Sequence, residues 1–96
     1  MDDDSLRVVE AEIGPELKRL AAHGFAIEDC RYDERCFGDF YVDLCRGDRL
    51  LRIIRDRSQY IVEGDRESKE KAGLWRAFDS KHEFFAALFA WIEGES

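Results

Sequence analysis

The sequence predicts an α+β fold: an N-terminal helical segment, a four-stranded antiparallel meander with room for a short fifth strand, and a C-terminal helix packed on one sheet face. Three observations predict it. Leu6, Val9, Ile13, Leu17 and Leu20 recur at spacings of three and four, one face of a helix. From Phe25 to Glu63, short runs alternate in the manner of strands. After Ser80, large apolar residues return at helical spacing behind a capping signal.

Gly14-Pro15 interrupts the first stripe, and proline is tolerated at the start of a helix but not in its interior. This predicts a kink or two short helices, the second running from Pro15 to about His23. Gly24 is placed as the left-handed residue that closes it. Phe25 and Ile27 then share one side of a first strand that runs to Tyr32, and Asp33-Glu34-Arg35 is a polar connection. Phe40, Val42 and Leu44 alternate with Tyr41, Asp43 and Cys45, and Arg46-Gly47-Asp48 reads as a turn. Arginine recurs every third residue from Arg49 to Arg55, a spacing that also suits a helix. The stretch is short and bounded by turn signals, so strand is preferred, with Leu51 and Ile53 on one face and Leu50, Arg52 and Ile54 on the other. Gln59 to Glu63 is the fourth strand, linked by Asp56-Arg57-Ser58 and ended by Gly64-Asp65. Residues 65–73 form a polar loop, after which Trp75 and Phe78 re-enter the core, the place for a fifth strand. Ser80-Lys81-His82-Glu83 is a capping box, and Phe84, Phe85, Leu88, Phe89, Trp91 and Ile92 form the stripe behind it. Gly94 ends the helix.

The 96 residues make one domain, with residues 1–4 expected to be disordered. The chain has 22 acids and 15 bases, a net charge of −7. Residues 1–44 account for −7, residues 45–57 for +3, and residues 58–96 for −3. An acidic surface repels phosphate backbones and attracts basic partners, which predicts a basic protein partner and no nucleic acid. No apolar run approaches the roughly 20 residues of a membrane span. The acidic start Met1-Asp2-Asp3-Asp4 is unlike a signal peptide, so a cytoplasmic location is expected. Arginine outnumbers lysine eleven to four, a bias that points to a GC-rich bacterial genome.

Catalytic and metal patterns are sparse. Cys30, Cys36 and Cys45 contain no C-x-x-C pair, and their spacing does not ask for His23 or His82 as a further zinc ligand. A Cys30–Cys36 disulfide would need an oxidising compartment; reduced thiols filling small apolar spaces are the plainer reading. His82 has Asp79, Ser80 and Glu83 as neighbours, but helix capping already accounts for Ser80 and Glu83. His23 falls in the last turn of a helix, where a cation is favourable against the dipole. No nucleophile elbow, zinc-protease motif or phosphate loop occurs. The sequence therefore predicts no catalytic residue, no metal and no cofactor.

Arg46, Arg49, Arg52, Arg55 and Arg57 lie within twelve residues. They form either a basic strip that meets an anion or a partner, or one half of cross-strand pairs with Asp43, Glu63 and Glu28. The second reading is preferred, because acids outnumber bases on the neighbouring strands. The acids Asp29, Asp33, Glu34 and Asp39, at the first strand connection, are then the candidate partner-binding residues. A ligand pocket near His82 or the arginines is the alternative. Self-association through the uncovered sheet face, at Tyr41, Leu50 and Ile54, is a third reading.

Phe37-Gly38-Asp39-Phe40 through Leu51-Arg52-Ile53-Ile54-Arg55-Asp56-Arg57-Ser58-Gln59-Tyr60 resembles small, largely uncharacterised bacterial proteins of about this length. His23-Gly24-Phe25 before the strands, and Trp75 with a helix over 81–93 closing the chain, extend the likeness over most of the sequence. Ser58 departs from it, since such domains often carry glycine there. The resemblance implies a domain of unknown function, in a group where some members are similar to immunity proteins that neutralise bacterial toxins.

Overall fold

The structure is a computed structural model and describes residues 3–33, 39–63 and 77–94. Its elements run α1 (Asp3–Ala22), β1 (Ala26–Asp33), β2 (Asp39–Arg46), β3 (Arg49–Asp56), β4 (Gln59–Glu63) and α2 (Lys81–Gly94). The fold is α+β, with an open antiparallel sheet in the order β1-β2-β3-β4.

The breaks in α1 follow from its sequence. Pro15 has no N–H to give, and its ring crowds the carbonyl four residues back. The backbone yields at Ile13, which leaves helical geometry at φ −131° and ψ 26° while staying fully buried. The helix begins at Asp3. It closes in a Schellman motif: Gly24 N donates to Ala21 O at 2.9 Å and Phe25 N to Leu20 O at 3.0 Å. Gly24 holds φ +91°, and a Cβ there would press on Arg46 Cδ at 3.3 Å. Phe25 and Leu20 are both buried beneath the motif.

The strands alternate as their side chains dictate. Val42 lies opposite Ile53 and Leu44 opposite Leu51, and Val62 continues the layer on β4. These residues face the helices, and with Val9, Leu20, Phe84 and Leu88 they form one core. β1 departs from simple alternation. A register shift between Ile27 and Asp29 puts Cys30 into the core opposite Val42. Gly47, at φ +61°, is the first of two central residues in the β2–β3 hairpin. The β3–β4 hairpin instead places Arg57 (φ 52°) and Ser58 (φ 67°) in left-handed geometry.

At the C-terminal end, Glu83 N donates to Ser80 Oγ at 3.2 Å, the expected cap. All six residues of the aromatic stripe are buried. Phe78 is buried too and pairs with Tyr60 in a single isolated bridge, so the described residues hold four strands and no fifth. Trp75, the polar loop 65–73, the end of β4 at Gly64-Asp65 and the connection at Glu34-Arg35 lie outside the described residues. Among the described residues, no helix is long and apolar enough to cross a membrane.

Candidate functional site: the open face of the sheet

In an antiparallel sheet, residues directly opposite each other share a face, so the pairing sorts every strand residue into one of two sets. The inner set meets α1 and α2. The outer set has neither helix over it among the described residues, and it falls into rows across the strands.

One row is apolar on three of its four strands: Arg31 on β1 is followed by Tyr41, Ile54 and Ile61, these three half-buried. A charged row lies two positions away, Asp29, Asp43, Arg52 and Glu63. Here the bases are matched within the sheet. Arg52 Nε donates to Asp43 Oδ1 at 2.6 Å and Nη2 to Asp43 Oδ2 at 2.9 Å, a bidentate pair. The same guanidinium stacks 4.2 Å over the Tyr41 ring, and the Tyr41 hydroxyl donates to Asp29 Oδ2 at 3.5 Å. The hydrogen bond to Asp43 holds the Arg52 pKa still higher than usual, against a smaller desolvation cost. On the other side of the apolar row stand Asp33, opposite Asp39, and Asp56 on the neighbouring strand. Leu50, at the far end of β3, is 64% exposed.

The outer face thus carries six acids, Asp29, Asp33, Asp39, Asp43, Asp56 and Glu63, against Arg31 and Arg52. A hollow of about 280 Å³ opens beside the apolar row, where Tyr41 and Ile54 meet three acids, Asp33, Asp39 and Asp56, and three arginines, Arg31, Arg52 and Arg55.

The arginines do not form one strip. Strand parity puts Arg46, Arg49 and Arg55 on the inner side and Arg52 on the outer side, and Arg57 is in a turn. Arg46 stacks 4.7 Å over Phe25 and donates to the His23 carbonyl at 3.2 Å, closing the end of α1. Arg49 stacks 4.5 Å over Trp91. Both roof the core at one end of the sheet, stems inward and charges at the rim. Arg55 emerges at the other end, between Phe40 and Tyr60. Of the three expected pairing acids, Asp43 binds Arg52 and Glu63 lies directly across from Arg52; Glu28 is exposed on β1.

The candidate partner-binding acids also separate. Asp29 accepts from Cys30 N at 2.9 Å as well as from Tyr41, and Asp39 accepts from Arg57 N at 2.9 Å. Asp33 faces Asp39 across the strands, and Glu34 lies outside the described residues. Asp43 and Glu63, expected as arginine partners, and Asp56, expected only as part of a connection, also belong with this acidic surface, because the pairing of β2, β3 and β4 brings them beside it.

A second hollow, about 400 Å³, lies between the helices, lined by Pro15, Glu16, Arg19, Lys81, His82 and Phe89 among others. Its cations are engaged. Arg19 donates to both oxygens of Glu93 at 2.7 and 3.0 Å and stacks on Phe89, while Lys81 donates to the Glu12 carbonyl at 2.8 Å. The suggestive group around His82 is dispersed: Ser80 caps the helix and Asp79 accepts from Gln59 Nε2 at 2.8 Å. His23 Nε2 lies 3.9 Å from Glu93 Oε2. Cys30 and Cys45 are free thiols, the first in the core and the second half-buried, while Cys36 lies outside the described residues. Among the described residues, no three His, Cys, Asp or Glu side chains converge as a metal site.

No protein-family model, no curated protein and no solved structure matches the chain.

Proposed function

We propose that this chain is a non-enzymatic, acidic protein-binding domain whose partner is a basic protein. The observation that carries the reading is the outer face of the sheet: an apolar row between charged rows, with six acids to two arginines. A surface that combines an apolar centre with a charged rim has the anatomy of a protein interface. Its tyrosine and arginine are residue types that concentrate binding energy, and Arg52 is already held in place by Asp43. Excess negative charge speeds association with a basic partner. The finer reading is an immunity protein, the partner then being a basic toxin.

The test is affinity capture from source cells at moderate salt, with the wild-type chain beside Ile54→Asp and His82→Ala. A partner held by wild type and His82→Ala but lost with Ile54→Asp supports the reading. Recovery of no partner, or of one indifferent to Ile54→Asp, overturns it. For the finer reading, co-expression should relieve the toxicity of the captured partner.

The hollow beside His82 favours a second reading, a small-ligand site between the helices. A thermal-shift screen with His82→Ala and Arg55→Ala as controls tests it. A ligand that stabilises the wild type and not His82→Ala would move the functional surface to the helical side.

A further inference from the structure

We infer that the partner docks face-on across the open sheet, rather than adding a strand to its edge, and that it presents an apolar strip flanked on both sides by lysine or arginine. This inference rests on the protein-binding reading and specifies how the same surface is used.

The edges are the first part of the argument. An unpaired edge offers a ladder of backbone groups to an incoming strand. On β1, two amides that would serve such a ladder are already engaged by side chains: Cys30 N by Asp29 Oδ1 at 2.9 Å and Tyr32 N by Ser5 Oγ at 3.1 Å. Ser5 is 3% exposed, so the second acceptor is built into the fold. The register shift between Ile27 and Asp29 further disturbs the edge. On β4, Tyr60 N and Tyr60 O are both taken by Phe78, each at 2.8 Å. Strand addition would have to displace these bonds.

The face is the second part. Rows on one face lie two residues apart along each strand, about 7 Å, so the two charged rows stand about 14 Å apart with the apolar row midway. The rows differ in how their charge is balanced. Asp29 and Asp43 face each other, and Arg52 with the Tyr41 hydroxyl relieves them within the molecule. Asp39 and Asp56 are neighbours across β2 and β3; Asp39 receives the Arg57 amide, and Asp56 has no ion pair among the described residues. Like charges side by side on a sheet oppose folding. A basic group from outside relieves this repulsion at Asp39 and Asp56, on the rim of a hollow whose lining also holds Tyr41, Ile54, Asp33 and the arginines Arg31, Arg52 and Arg55. Glu63 and Asp29 offer the matching contact on the far side of the apolar row. A second copy of the chain would bring the same six acids against themselves, which favours a basic partner over a homodimer.

The probes are three synthetic helical peptides: a leucine strip flanked by lysines, the same strip flanked by glutamates, and the lysine peptide with serine in place of leucine. Binding is followed by amide and methyl shifts of the isotope-labelled full chain. The lysine–leucine peptide should perturb Tyr41, Ile54 and Ile61. The other two should bind at least about tenfold more weakly, and Asp56→Lys with Glu63→Lys should cost a further tenfold or more. Both reversed residues are exposed, so the fold should be retained. Shifts concentrated at Cys30, Tyr32 and Phe78 would establish edge addition, and shifts along Glu16 and His82 would place the site between the helices; either overturns the inference. A sedimenting dimer that Ile54→Asp dissociates overturns it in favour of a second copy. If a cellular partner is still captured through Ile54 while the peptides map elsewhere, the protein-binding reading stands and this docking geometry falls. If capture fails, the reading itself falls.

Discussion

Arg52 and Arg55 are three residues apart in sequence and on opposite faces of the sheet. The outer one stacks on Tyr41 and grips Asp43; the inner one ends beside Tyr60. Tyr60 is 3% exposed, and its hydroxyl donates to Glu12 Oε1 at 2.8 Å. Burial, reinforced by that hydrogen bond and opposed by Arg55, pushes its pKa up to about 12. The sign follows from the neutral form being favoured in the fold. Below pH 10 both folded and unfolded states keep the proton, and the stabilisation is complete. Above pH 10 the unfolded state ionises first, so stability falls as pH rises to 12, by about 2 kcal/mol for a shift of this size. Tyr60→Phe should lose about 1 kcal/mol at neutral pH with its hydrogen bond. The gap between wild type and variant should then narrow and reverse by pH 12 in urea unfolding. A constant gap would mean that the phenol is not held neutral by the fold.

At the scale of elements, strand alternation and helical stripes were legible because single side chains set them. Phe40, Val42 and Leu44 need one face, and the stripe from Phe84 to Ile92 needs one side of α2; the core uses both as the pattern demands. Pro15 and Gly24 were legible because backbone chemistry leaves them few roles. The register shift in β1 was not, since Glu28 reads as one more polar strand residue and the shift depends on pairing with β2. The division of Arg49, Arg52 and Arg55 follows from the strand reading, because a recurrence of three alternates faces in a strand; taking the arginines together as one strip leaves that alternation out. The β3–β4 turn is legible only in part: its position is marked, but its left-handed pair is Arg57-Ser58, where Asn-Gly is the usual solution. Each such residue costs on the order of 1 kcal/mol, so Ser58→Gly should raise stability by roughly that amount in thermal or urea unfolding. No gain would show that the turn is unstrained. The edge of β1 gives the opposite sign. Ser5→Ala removes a buried hydroxyl that accepts from Tyr32 N, and should cost about 1–3 kcal/mol.

At the scale of the whole molecule, one sheet serves two purposes because its faces are unequal. The inner face is closed by α1 and α2, and the outer face keeps half-buried apolar side chains between charges. Ile53 and Ile54 measure that inequality directly, being neighbours in sequence with the same side chain and opposite faces. Ile53 is fully buried against Val42 and Val62, whereas Ile54 lies between Tyr41 and Ile61 on the open side. Truncation of a fully buried isoleucine leaves a cavity and removes its packing, so Ile53→Ala should cost about 2–4 kcal/mol. Ile54→Ala gives up only part of that burial and leaves no enclosed cavity, and should cost less than about 1 kcal/mol. Partner affinity should respond in the reverse order. Ile54→Ala should weaken capture strongly in a protein that melts almost as wild type, while Ile53→Ala, assayed well below its melting temperature, should retain it. Equal losses of stability at the two positions would mean that the outer face is packed like the inner one, and the open sheet would then cease to be a binding surface.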